Sequence, residues 1–279
     1  MMSITKLKNK QVLVTGASSG IGYETAIAFA RGGANLILVD INAEGLAAAA
    51  ESVRTHGVEC LTFRADVADP QAMADLAQEV SESVGALDVL VNNAGVGFIG
   101  TFIETPVEIW RRLLNINLMG VVNGCSVFLP KMREAAGPRH IVNVASAAGL
   151  APTCNMSAYA ASKHAVVGLT DSLAMELAGS EVRVTVVCPG IINTPIAHAS
   201  SANVGKSITR EQLDRLAEFY RTKGAHPRVV GEAIVDAVLS DRGLVLVGPF
   251  ARLIYNLRRV SRSLLFRVLI ADSRKMGWI

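Results

Sequence analysis

Short apolar runs recur along the chain, each closed by a polar residue or a glycine and followed by a longer stretch with helical spacing. Gln11–Thr15, Asn35–Asp40, Glu59–Ala65, Leu87–Val91, Ile141–Ala145, Glu181–Cys188 and Gly243–Val247 read as strands. Between them lie an alanine-rich helix ending at Gly32-Gly33, a second over 44–56, and a third from Pro70 to about Val84. Two more cover residues 106–135 and the region from Tyr159 to about Ala178. Pro70 suits a first helical turn, where a missing N–H leaves nothing unpaired. Strands apolar at successive positions fit a parallel sheet covered on both faces, and strand–helix alternation fits its crossovers. The pattern predicts an α/β fold, a doubly wound sheet of seven parallel strands in one domain over residues 1–250.

Composition agrees: 51% hydrophobic with only 5% aromatic is an aliphatic, parallel-sheet make-up. The net charge of +3 is unevenly placed, because residues 251–279 carry seven Lys/Arg against Asp272 alone. That leaves 20 basic and 23 acidic side chains in residues 1–250, a near-neutral body for which no nucleic-acid partner is expected. Cys60, Cys125, Cys154 and Cys188 are far apart and match no metal or redox spacing, so buried reduced thiols and no metal are expected. The N-terminus enters its first strand without a signal-peptide core, and no uninterrupted apolar run approaches the roughly 20 residues of a membrane span. A cytoplasmic location is expected.

The chemistry concentrates between Ser146 and Lys163. Tyr159 and Lys163 are four apart at the start of a helical stretch, so phenol and ammonium share a face. A fixed ammonium nearby would favour the phenolate and lower a pKa that is otherwise about 10. Ser146 ends an apolar run, which brings its hydroxyl to a strand's C-terminal edge, where open α/β sheets hold ligands. Upstream, Gly16, Gly20 and Gly22 follow the first strand and open a helix, a phosphate cradle spaced G-x-x-x-G-x-G. Asp40 ends the second strand, about 20 residues on, where an acid accepts from adenosine ribose hydroxyls and repels a 2′-phosphate. With no Lys or Arg in 17–19 or 41–43, NAD is expected over NADP; capping the next helix is the structural alternative for Asp40. Asn92-Asn93-Ala94-Gly95 can tie strand ends together and admit a ligand, or serve as a plain turn. Asn117, inside an apolar helix, needs partners, which the backbone of a kink would supply.

Taken together, Thr15-Gly-x-x-x-Gly-Ile-Gly22, Asp66, Asn92-Asn-Ala-Gly95, Asn117, Ser146, Tyr159-x-x-x-Lys163 and Pro189-Gly190 resemble the short-chain dehydrogenase/reductase (SDR) family. The resemblance covers residues 8 to about 250 and implies a Rossmann-type catalytic domain. It implies that Tyr159 exchanges a proton with the substrate oxygen, that Lys163 holds the nicotinamide ribose and lowers the tyrosine pKa, and that Ser146 bonds the carbonyl or alcohol. Asn117 would hold a water linking Lys163 to solvent. Gly16, Ser18, Ser19, Gly20, Ile21 and Gly22 would line the cofactor phosphates and ribose, with Asp40 and Ile41 at the adenosine ribose. Asp66 and Val67 would meet the adenine, Asn93, Ala94 and Gly95 would flank the cofactor, and Pro189, Gly190, Ile192 and Thr194 would meet the nicotinamide side. Residues 196–228 fall where the family's substrate lid lies, polar at first and then helical from Thr209 to Thr222. His198 could reach the mouth, though a surface loop histidine is the plainer reading.

Beyond the shared core, Leu253, Leu257, Val260, Leu264 and Val268 recur at helical steps, with Ile254, Leu265 and Leu269 widening the stripe and Arg258, Arg259, Arg262 and Arg267 flanking it. This basic amphipathic helix over 251–279 either packs on the same or a neighbouring subunit or lies on an anionic membrane. The expected function is NAD(P)-dependent hydride transfer with an apolar secondary alcohol or ketone (lipid-, steroid- or long-chain-like), in a homodimer or homotetramer. The alternatives are an acyl-thioester ketoreductase and a non-catalytic nucleotide-binding scaffold.

Overall fold

The computed structural model describes residues 3–194 and 203–279. Seven strands are present among them: β1 (Gln11–Thr15), β2 (Asn35–Asp40), β3 (Cys60–Arg64), β4 (Val89–Asn92), β5 (Arg139–Val144), β6 (Val182–Pro189) and β7 (Leu244–Val247). All pair in parallel, in the order β3-β2-β1-β4-β5-β6-β7. The helices are α1 (Gly20–Arg31), α2 (Ala43–Arg54), α3 (Pro70–Val84), α4 (Val107–Leu114), α5 (Gly120–Glu134) and α6 (Ser157–Glu176), then α7 (Arg210–Lys223), α8 (Arg228–Ser240), α9 (Ala251–Val260) and α10 (Arg262–Lys275).

Local chemistry starts these helices where the chain turns from the sheet. Asn42 caps α2 through the Gly45 amide, and Asp69 caps α3 through the Gln71 and Ala72 amides, directly ahead of Pro70. Alternation along each strand then divides the core in two. Val12, Val14, Leu36 and Leu38 face α1, α2 and α8, while Leu13, Ile37 and Val39 face α3, α5 and α6. Each buried aliphatic side chain contributes roughly 1.5–3 kcal/mol. β3 departs from the expected two-sided burial: Leu61, Thr62 and Arg64 are exposed, as suits an edge strand.

Two further departures concern helices. The stretch read as one helix over 106–135 is α4 and α5 joined by a π-helical turn, Asn115–Met119. By length and hydropathy Val107–Glu134 is apolar enough to cross a bilayer, although charged residues interrupt it. It is nevertheless a core element, with Leu113, Val121, Phe128 and Met132 buried. The C-terminal segment is two helices, because Ser261 is extended (φ −158°, ψ 115°), ending α9 and capping α10 through the Leu264 amide. The predicted stripe divides accordingly. Leu265 is buried and Ile254 and Tyr255 pack on the core, while Leu253, Val260, Leu264 and Val268 are exposed. Of the four thiols, Cys60, Cys125 and Cys188 are buried and Cys154 is half-buried.

His140 on β5 is buried and its Nε2 lies 2.7 Å from Thr185 Oγ1, whose own proton goes to the Arg242 carbonyl. Nε2 therefore carries the proton and donates it. Burial, with the Arg183 charge adding to it, pushes the imidazole down to about 4. Because the unfolded state binds the extra proton first, stability rises with pH between about 4 and 6.5, and is lost as pH falls through that window. Urea unfolding at pH 7 and pH 5 should show a loss of about 2 kcal/mol on acidification from this residue. His140→Asn should flatten that slope even if it lowers stability overall.

Candidate active site

The sheet order reverses direction between β1 and β4, and the C-terminal ends of β1, β4, β5 and β6 carry the predicted polar residues. At β1 the chain turns through Gly16 (φ +65°) and Gly20 (φ +56°) into α1. Ser19 supplies no side-chain cap, so the amides of the first turn of α1 are left to face a ligand. Nothing larger than glycine fits this turn: a Cβ on Gly22 would stand 2.0 Å from the Gly16 carbonyl oxygen, and one on Gly16 2.8 Å from the Ala94 Cα.

Asn93 locks the neighbouring strand end to this turn. Its amide N–H donates to Thr15 Oγ1 at 3.0 Å, and its Nδ2 donates to the carbonyls of Thr15 and Gly16 at 2.9 and 3.2 Å. Asn92 does the same on the other side, donating to Asn143 Oδ1 at 2.9 Å. Both amides thus tie strands together, as one of the two sequence readings has it. Asp40 accepts from the Ser18 amide and the Asn42 amide, each at 3.0 Å. It braces the glycine turn and keeps acceptor capacity, since a carboxylate offers about four lone-pair sites. Asp66 is exposed and accepts from the Ala68 amide; Val67 is buried, its carbonyl held by Asn123 Nδ2 at 2.8 Å.

The catalytic candidates meet at β5 and α6. Lys163 is only 4% exposed; its Nζ donates to the Val144 carbonyl at 2.9 Å and lies 6.0 Å from the Tyr159 ring centre. Burial pulls its ammonium down to about 8. Ser146 caps a short 3₁₀ turn, Ala147–Gly149, and hydrogen-bonds the Tyr159 phenol. Burial raises that phenol above its ordinary value, outweighing the Ser146 hydrogen bond. The sequence expectation of a lowered tyrosine pKa is thereby corrected, because desolvation disfavours the phenolate.

Asn117 lies in the π-helical turn, and the turn aims its amide across the cleft. Oδ1 accepts from the Val96 amide at 2.8 Å, while Nδ2 donates to the Val96 carbonyl and to Ser162 Oγ, both at 3.0 Å. Ser162 in turn donates to the Tyr159 carbonyl at 2.7 Å. The backbone partner that sequence reasoning allowed for Asn117 is present, but it belongs to the loop after β4. A Cβ on Gly95 would sit 3.2 Å from Asn117 Oδ1 and 3.4 Å from Lys163 Nζ, so Gly95 separates these two groups.

At the far side Gly190 is packed against the Pro249 carbonyl, Ile192 and Thr194 are buried, and Ile192 pairs with Ala225 just beyond α7. Ile41 is exposed on the rim. His198 and the polar start of the expected lid, Ala197–Ala202, lie outside the described residues.

The sequence motifs single out neither Ser162, Arg64 nor Tyr220, and give Thr15 only as the start of the glycine motif. Ser162 stands beside Lys163 and is wholly buried, and Thr15 accepts from both Asn93 and Ala94. Arg64 lies in register with Asp40 on β3 and donates to the Ile41 carbonyl, a basic side chain absent from the sequence windows around Asp40. Tyr220 on α7 is half-buried, and burial together with the Tyr159 charge pushes its phenol up to about 12. Its spacing from Leu213, Leu216 and Ala217 on one helix face is the signal that marks it.

Comparison with known proteins gives this arrangement a family. Residues 10–205 match the family described as short chain dehydrogenase. Over 280 residues the chain is 34% identical to "Dehydrogenase/reductase SDR family member 7B" of Bos taurus, covering 96% of this chain and 83% of that protein. It is 39% identical over 253 residues to "Probable oxidoreductase EphD" of Mycobacterium tuberculosis, covering 89% of this chain but only 43% of that one. The chain thus spans less than half the length of that relative. A short-chain dehydrogenase/reductase from Burkholderia phymatum, solved in complex with NAD, superposes with a TM-score of 0.85 at 33% identity, over 93% and 96% of the two chains. The protein belongs to the short-chain dehydrogenase/reductase family, a class of oxidoreductases.

The glycine contacts give a graded prediction. Gly22→Ala, with its Cβ at 2.0 Å from backbone, should cost roughly 1–3 kcal/mol of stability and sharply weaken dinucleotide binding. Gly95→Ala, with contacts at 3.2 and 3.4 Å to side chains, should cost less. Thermal melts and NADH fluorescence titrations of both variants check the order.

Proposed function

We propose that this chain is an NAD-dependent dehydrogenase/reductase that interconverts a secondary alcohol and a ketone, acting on an apolar substrate. One observation carries the reading: Ser146, Tyr159 and Lys163 converge beside a glycine turn too tight for any side chain. The uncapped first turn of α1 and the close-packed glycines suit the pyrophosphate of a dinucleotide. Gly16, Ser18, Ser19, Gly20, Ile21 and Gly22 would hold it there, Asp40 and Ile41 the adenosine ribose, and Asp66 with Val67 the adenine. Asn93, Ala94, Gly95, Pro189, Gly190, Ile192 and Thr194 would line the rest of the cofactor.

Bound nicotinamide would supply or accept the hydride. Tyr159 would give its phenolic proton to the substrate oxygen in reduction and recover it in oxidation. Ser146 would hold that oxygen in line with the phenol. Lys163 would offer its ammonium to the nicotinamide ribose, and its charge would offset the burial that disfavours the phenolate. Asn117, engaged by Val96 and Ser162, would fix the catalytic helix relative to the loop after β4 and hold a water on the way to Lys163.

Tyr159 packs in one apolar cluster with Phe98, Ile109, Trp110 and Leu113, which favours a substrate with little polar surface. The reading also takes residues 251–279 as a peripheral membrane contact, with the body cytoplasmic. It takes the protein as a homodimer or homotetramer, with the apolar groove between α5 and α6, lined by Val122, Leu129, Leu169 and Leu173, as the surface offered to a second copy.

Absorbance at 340 nm, with NAD and NADP against steroid, retinoid and aliphatic secondary alcohols, tests the whole reading; turnover restricted to polar polyols would remove the apolar substrate. Tyr159→Phe should retain NADH binding and lose at least about 100-fold in kcat, and unchanged turnover would refute its role. Asp40→Ala should lose roughly tenfold in NAD affinity and gain on NADP. Because Arg64 stands in register with Asp40, the NADP gain should disappear in Asp40→Ala/Arg64→Ala.

A further inference from the structure

The exposed face of the C-terminal helix pair is apolar and basic at once. Val260 is 81% and Leu253 55% exposed, and Leu264 and Val268 continue the face on α10. Arg252, Arg259, Arg262, Arg267, Arg274 and Lys275 are all exposed around it, and Asp272 is the one acid in residues 251–279. An apolar strip rimmed by cations complements an anionic lipid surface rather than a second copy of a near-neutral body.

The same helices grip the catalytic domain at two places. Gln212 Nε2 on α7 donates to the Gly277 carbonyl just past α10, at 2.6 Å, and Phe219 on α7 stacks on Phe250 at the start of α9, 6.3 Å between ring centres. On the other side Arg258 on α9 bonds the Leu150 carbonyl and donates to His164 Nε2 at 2.9 Å, the residue after Lys163 on α6. Among its described residues α7 has none that is fully buried, so the packing that holds it is shallow and these ties carry weight. Its last turn holds Tyr220, within electrostatic reach of Tyr159.

We infer that docking of α9 and α10 on an anionic bilayer is transmitted to the substrate side of the cleft through α7, by way of the Gln212–Gly277 and Phe219–Phe250 contacts. This rests on the reading of residues 251–279 as a membrane contact and adds to it a route to the active site. Lipid engagement then changes the opening of α7 and so the access of an apolar substrate delivered from the same surface.

The test uses the full chain with NADH and vesicles of phosphatidylcholine, alone or mixed with phosphatidylserine. Co-sedimentation reports docking, and hydrogen–deuterium exchange over residues 210–223 reports the response of α7. The mixed vesicles should sediment the protein and change α7 exchange several-fold; phosphatidylcholine alone should do neither. Gln212→Ala/Phe219→Ala should sediment like wild type without the vesicle-induced change, and Val260→Asp/Leu264→Asp should lose both. Sedimentation with no change in α7 exchange overturns the coupling and leaves the membrane reading standing. No sedimentation on either vesicle overturns both. If Val260→Asp/Leu264→Asp instead dissociates an oligomer in analytical ultracentrifugation without lipid, the face belongs to a second copy and the inference fails.

Discussion

The ammonium of Lys163 is the group that the rest of the site must accommodate. It is almost wholly inside the protein, and its partner in the described structure is one backbone carbonyl, that of Val144. A buried charge is tolerated only where hydrogen bonds replace the lost water. One carbonyl replaces part of that water, and the ammonium falls to about 8 instead of its ordinary 10.5. The folded value lies below the unfolded one, so the charged form burdens the fold below about pH 8 and the burden lifts as pH rises towards 10.5. The chain keeps this group at the carboxyl edge of the sheet, where ligands bind in open α/β folds.

Holding the ammonium there requires the surrounding backbone to be both crowded and fixed. Crowding is evident at the glycines, where Gly22 meets the Gly16 carbonyl, Gly149 meets the Lys163 carbonyl and Gly190 meets the Pro249 carbonyl, all closer than a side chain would allow. Fixation comes from amide side chains that bond backbone on two elements at once. Asn93 joins β4 to the β1 turn, and Asn117 joins the loop after β4 to α6 through Ser162. The π-helical turn is what lets Asn117 do this, since π-bulges re-aim side chains and recur at functional sites.

Much of this was legible in the sequence because it depends on local order. The strands follow from apolar runs, the start of α3 from Pro70, and the site from motifs in a fixed order. What escaped depends on other information. A π-helical turn preserves helical composition, so the Asn115–Met119 turn has no periodic signature. The hydrophobic stripe of the C-terminal segment passes through Ser261 unbroken, although the backbone does not. Arg64 and Tyr220 come to the site from distant segments, which spacing cannot reveal. The direction of the Tyr159 shift departs from expectation for a related reason: sequence records a lysine four residues away but not the burial of both groups.

That last point bears on how the site would work. Burial moves both groups towards their neutral forms, the phenol upward and the ammonium downward. Burial alone therefore leaves the pair poorly poised for proton exchange at neutral pH. On the proposed reading, ribose hydroxyls beside Lys163 would supply the hydrogen bonds that Val144 alone does not, raising the ammonium and through its charge lowering the phenol. Cofactor binding would then do more than bring the hydride: it would complete the solvation of Lys163 and prepare Tyr159. The burial that disfavours the charged form of each group would make the site responsive to its cofactor.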